Sequence, residues 1–137
     1  MMRTILSTEL AMASLLGLWI LENDRWLWAS AQSHAYGLVG FVIVDLALAF
    51  AVALRIPRSS MLAPAAALVQ VAAMLSDLVN GQPVGVSSFS FRGYLLGDVS
   101  FVALLAIQSV ITLMGLEIAL GRLVHQHPRW IATLHRK

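Results

Sequence analysis

Four long apolar stretches, Ile5 to Leu21, Ala35 to Leu54, Met61 to Val79 and Tyr94 to about Leu120, run along the chain with short polar breaks between them. Each approaches or exceeds the roughly 20 residues a helix needs to cross about 30 Å of hydrocarbon. The breaks have physical causes. Glu22-Asn23-Asp24-Arg25 is too polar to bury, Arg55-Ile56-Pro57-Arg58 joins charge to a helix stop, and Asn80-Gly81-Gln82-Pro83 is turn chemistry. The pattern predicts an all-α integral membrane protein, an up-down bundle of four transmembrane helices over residues 1–124 followed by a cationic interfacial tail over 125–137. Although Met1-Met2-Arg3, an apolar run and Ala29-Ser30-Ala31 resemble a cleavable signal, residues 22–25 put too charged a stretch between run and site. The first segment therefore reads as a retained span.

Finer periodicity within the spans predicts which faces meet. In the third, Ser59, Ala63, Ala66, Gln70, Ala73, Asp77 and Asn80 alternate at spacings of four and three and share one helical face. Related seams are Gly37, Gly40, Val44, Ala47 and Ala51 in the second span and Ser7, Ala11, Ser14 and Gly17 in the first. Small residues let helices approach closely in lipid, where no hydrophobic force drives helix against helix.

Composition reinforces this class: 59% of the 137 residues are hydrophobic and 12% charged, against about 25% charged in an ordinary soluble domain. Without Cys there is no disulfide, thiolate nucleophile or iron–sulfur ligand. Arg3, Arg55, Arg58, Arg122, Arg129, Arg136 and Lys137 fall on one predicted side, against Arg25 and Arg92 on the other, so both termini are expected to be cytoplasmic and the protein to lie in the cell membrane. Trp19, Trp26, Trp28, Tyr36, Tyr94 and Trp130 fall near the predicted interfaces as anchors.

Five of the seven carboxylates, Glu9, Asp45, Asp77, Asp98 and Glu117, lie inside or at the edges of the spans, while every Lys and Arg lies outside. A charged side chain at the bilayer centre costs roughly 2.5–3.5 kcal/mol on insertion scales. Depth sorts the acids into three levels. Glu9 and Glu117 lie toward the cytoplasmic side, Asp45 near the middle with Gln70, Gln108, Ser109 and Thr112, and Asp77 and Asp98 toward the outer side. The outlying acids have ordinary partners within reach, Arg3 or Arg122 for Glu117 and Arg92 for Asp98. No basic residue shares the depth of Asp45, which leaves it protonated, hydrated, or paired with another chain.

Outside the spans, Phe89 and Phe91 in the loop of residues 81–93 alternate with Ser, which predicts a short extended stretch offering both rings to lipid or a partner. Arg129 and Trp130 in the tail suit anionic lipid or a docking partner. His125, His127 and His135 form a weak metal pattern outweighed by that tail reading. His34, near the outer start of the second span, is expected to cap its helix, and two-His haem ligation is excluded. No cofactor is named by any motif, and no phosphate loop, nucleophile elbow, zinc-protease helix or nucleic-acid patch occurs.

These features point to an accessory subunit of a larger integral membrane complex, respiratory or otherwise redox-active, with no catalysis of its own. The partners are then the bilayer and other membrane subunits. A second reading is a homodimeric proton- or cation-coupled transporter using Asp45 or Glu9. With four spans and an acid in the first, the chain is similar in architecture to small multidrug transporters, although no motif around that acid is shared. A membrane enzyme with the acids as metal ligands ranks last, because no His joins them at depth.

Overall fold

The computed structural model describes the backbone of residues 1–134 and the side chains of residues 1–121. The backbone forms six helices: α1 (Met2–Asn23), α2 (Arg25–Ser30), α3 (Gln32–Ala53), α4 (Ser59–Asn80), α5 (Ser88–Gly97) and α6 (Val99–Leu134). Four of them, α1, α3, α4 and α6 over Val99–Gly121, are long and apolar enough to cross a membrane. The chain is a multi-pass helical membrane protein.

Short elements replace the expected loops. The polar break after α1 is a one-residue joint, because the Asp24 carboxylate accepts a 2.9 Å hydrogen bond from Leu27 N–H and starts α2 immediately. The Trp28 indole N–H returns to Leu21 C=O at 2.7 Å and ties α2 back onto the end of α1. The Ser-Phe alternation, expected to be extended, is instead the first turn of α5, whose start is capped by Ser87 Oγ accepting from Ser90 N–H. A local N-cap outweighs the two-residue alternation there. The segment expected as one span from Tyr94 is broken at Asp98, which accepts from Ser100 N–H at 2.8 Å and starts α6. At the other end α6 continues as helix through Pro128 to Leu134, where a tail after the helix was expected.

The turn from α3 to α4 is tight. Arg55 and Arg58 both take positive φ, 59° and 67°, an uncommon conformation for side chains with a Cβ. Buried Ser59 closes it, donating to Ile56 C=O at 2.7 Å and Ala51 C=O at 3.2 Å.

Each spanning helix packs chiefly on two neighbours, α1 on α3, α3 on α4, α4 on α6 and α6 on α1, in a square bundle whose α1–α4 diagonal also makes a small contact. The α1–α3 and α4–α6 contacts are the most extensive, and α3 and α6 face each other across the diagonal without close backbone approach. Glycines permit the two tight pairs. A Cβ at Gly17 would fall on the Val42 methyl, and one at Gly115 on the buried Pro64 ring. Two apolar clusters fill the interior. Leu6, Leu10, Ala49, Val52, Ala63, Ala67 and Ile111 occupy the end carrying the N-terminus; Ala13, Ile20, Leu27, Ala31, Ala35, Met74 and Leu104 occupy the other.

The α1 seam is internal at Ser14 and Gly17, with Ser14 Oγ donating to Val42 C=O at 3.3 Å. The expected α4 face is buried at Ser59, Ala63 and Gln70, with Ala66, Ala73 and Asp77 at its flank. The α3 seam points the other way: Gly37, Gly40, Val44 and Ala47 are exposed, and α3 buries Ala35, Val42, Asp45, Ala49 and Val52. A stripe of small residues marks a face that tolerates close approach without saying whose helix approaches.

Gly115→Ala should destabilise the protein by about 1–3 kcal/mol, since the rigid Pro64 ring cannot yield to the added methyl. Gly40→Ala, facing open space, should be neutral or gain up to about 1 kcal/mol. Unfolding of both variants in mixed micelles, followed by far-UV circular dichroism, checks the difference in sign.

Candidate functional site

Between the two apolar clusters lies a layer of polar side chains. Asp45 of α3, Gln70 of α4 and Gln108 of α6 are 1%, 3% and 0% exposed, so each has exchanged water for protein. They satisfy one another. The Gln70 amide donates to Asp45 Oδ1 at 2.7 Å, and the Gln108 amide donates to Asp45 Oδ2 at 2.5 Å and to Gln70 Oε1 at 2.8 Å. Every one of these bonds joins different helices, and the Asp45–Gln108 bond spans the diagonal of the square.

The sequence placed these three residues at one depth, and the structure brings them together. What differs is the partner. Asp45 draws two N–H donors from its own chain, where the sequence offered protonation, hydration or a partner from another chain. Ser109 and Thr112, expected at the same level, donate instead to C=O groups of their own helix, at Leu105 and Gln108. Gln108 Oε1 is buried and has no hydrogen-bond partner among the described residues. Turning the amide over to help that oxygen would set it against the Asp45 carboxylate, so the two donated bonds hold its orientation. Asp45 does not line the cavity at the far end of the bundle.

That cavity, of about 310 Å³, is the second candidate. It opens between α3, α4, α5 and α6 at the end away from the N-terminus, past exposed Ser33 and Gly37. Its walls are apolar and aromatic, with Leu38, Phe41, Met74, Phe101 and Leu104 among them, and Asp77, Asp98 and His34 bring polar groups to it. Expected to cap α3, His34 instead points Nε2 at Asp77 Oδ1, 3.3 Å away, and joins α3 to α4. Asp98 meets no Arg among the described residues: its carboxylate caps α6, and Arg92 Nε–H donates to Leu78 C=O at 2.9 Å.

Phe91, expected at the surface beside Phe89, is 1% exposed, while Phe89 is 87% exposed. The helical turn at Ser88 rotates the two rings to opposite sides. Phe91 joins a cluster with Trp26, Tyr94 and His34, in which the Trp26 and Tyr94 ring centroids are 4.1 Å apart and those of His34 and Phe91 5.1 Å. These rings bridge α2, α3 and α5 over the cavity. Nothing in the local sequence signals this meeting of residues 26, 34, 77, 91 and 94. The shared depth of Asp77 and Asp98 was the one legible hint.

The remaining acids stay apart: Glu9 is half-buried, Glu117 is exposed, and neither forms an ion pair with a described residue. Among the described residues no three His, Asp or Glu converge as metal ligands. The side chains of His125, His127, Arg129 and Trp130 lie outside the described residues, as does all of His135 to Lys137.

Replacing Gln108 with Leu should strand one Asp45 oxygen and destabilise the bundle by about 1–3 kcal/mol or more. Adding Asp45→Leu and Gln70→Leu should recover much of that loss, because an apolar layer has no charge to solvate. Denaturation of the single and triple variants in the same micelle checks the reversal. Comparison with known protein families, curated proteins and solved structures finds no match to this chain.

Proposed function

We propose that this protein is a small structural subunit of a larger integral membrane assembly, held to its neighbour through the outer face of α3. The observation that carries this reading is the orientation of the α3 seam. Gly37, Gly40, Val44 and Ala47 are bare on the outside of the bundle, and Gly37 and Gly40 have open space where a side chain would be. Glycines cost a helix stability relative to Ala unless a close approach makes use of them. Inside the bundle Gly17 and Gly115 meet such an approach; on α3 the equivalent surface awaits another helix.

The internal polar layer supports a structural role as well. It fixes the relative rotation of three helices and is sealed from the cavity, as suits a rigid module more than a moving carrier. We assign the protein to the cell membrane with both termini cytoplasmic, on the excess of Arg at that end. A respiratory or other redox complex is a suitable parent. The transporter reading has less to rest on, since Asp45 is sealed and engaged by two amides.

Gly40→Leu combined with Ala47→Leu fills the exposed groove without touching the interior. Purified from its native membrane in mild detergent, the parent protein should carry stoichiometric partner chains, and the double variant should lose at least nine-tenths of them while unfolding as the parent does. A parent protein that emerges as a clean monomer or homodimer would sink the proposal.

A further inference from the structure

We propose that the cavity at the far end of the bundle is a binding site for an organic monocation, an ammonium group attached to an apolar body. The proposal does not rest on the α3 interface, although Gly37 stands both at the mouth of the cavity and at the near end of that face. The cavity's charge decides the class of ligand. Asp77 and Asp98 both line it, His34 lines it turned toward Asp77, no Lys or Arg among the described residues does, and Arg92 is turned away onto Leu78 C=O.

The acids are only partly engaged. His34 approaches Oδ1 of Asp77, and Ser100 N–H donates to Oδ1 of Asp98, which leaves the second oxygen of each carboxylate without a hydrogen bond from a described residue. An anion entering here would meet two carboxylates, and the imidazole of His34, the basic side chain among the described lining residues, is already turned to Asp77. A neutral ring would desolvate the carboxylates and return nothing. A cation compensates both, and it also gains from the aromatic lining of Phe41, Phe91, Tyr94 and Phe101, since the negative quadrupole of a ring attracts positive charge.

Size and shape agree with a compact ligand. A volume of about 310 Å³ is at the lower end of small-molecule pockets. The apolar floor of Met74 and Leu104 takes a hydrocarbon body, while the acids and exposed Ser33 stand where a charged head would sit. A quaternary ammonium suits the rim better than an ammonium with N–H groups, because aromatic faces attract charge without asking for donated hydrogen bonds. Two sources supply this chemistry, the choline head of a phospholipid and a free organic cation.

The test is equilibrium binding of radiolabelled benzyltrimethylammonium to the full-length protein in a nonionic maltoside micelle. One saturable site is expected, with neopentylbenzene, the uncharged molecule of the same shape, displacing the label at least tenfold more weakly than unlabelled cation. Asp77→Asn and Asp98→Asn should each weaken binding at least tenfold. Phe101→Leu, which keeps the apolar surface and removes the ring, should weaken it severalfold with the fold intact by circular dichroism. Competition by dihexanoylphosphatidylcholine would support the site with a lipid head as its occupant; binding indifferent to it would support the site with a free cation. Absence of saturable binding, equal displacement by neopentylbenzene, or full affinity in both Asn variants would overturn the proposal.

Discussion

A carboxylate at mid-membrane must find compensation for the water it has lost, and the position of Asp45 imposes that requirement on the whole bundle. Its two oxygens are met by amides from two other helices, so α3, α4 and α6 are tied to one rotation and one depth. A slip of a single residue on any of them would turn one of the three groups toward lipid, leaving the other two unsatisfied. The apolar clusters on either side contribute contact but little direction, because Ala, Leu and Val pack acceptably in neighbouring registers. The polar layer supplies the specificity that dispersion forces alone lack.

The same constraint explains where small residues are needed. Side chains that hydrogen-bond across the diagonal require a narrow bundle, and Gly17 against Val42 and Gly115 against Pro64 draw the helix pairs together. On one side of the layer the interior then closes completely around Leu6, Leu10 and Ile111, each 0% exposed. On the other side Trp26 of α2 clusters with Phe91 and Tyr94 of α5, and the latter two line the acidic cavity that opens there. Rigidity at the centre and an opening at one end are two results of one arrangement: a tied middle with bulky aromatics inserted beyond it.

The division between sealed and open regions also separates the acids by role. Asp45 serves the fold, Asp24 starts a helix, Asp98 starts another while lining the cavity, and Asp77 stands with His34 at that cavity. Residue type alone does not distinguish them. Burial and the geometry of the neighbouring donors do, because a carboxylate sealed in the interior with both oxygens engaged is closed to a ligand, whereas one that lines a cavity with an unbonded oxygen is open to it.

By itself the sequence determined that this is a membrane protein with four spans, and it placed Asp45, Gln70 and Gln108 at one level. Those conclusions follow from one-dimensional quantities, the length of apolar runs and the 1.5 Å rise of a helix, which neighbours do not alter. Tertiary structure alone decided the rest. It showed that the amides satisfy Asp45 within the chain, that the α3 glycines face outward while Gly17 of α1 and Gly115 of α6 face in, that Phe91 is buried, and that His34 meets Asp77. Each of these depends on the rotation of one helix relative to another, an angle that arises only when the faces pack and that local sequence does not contain.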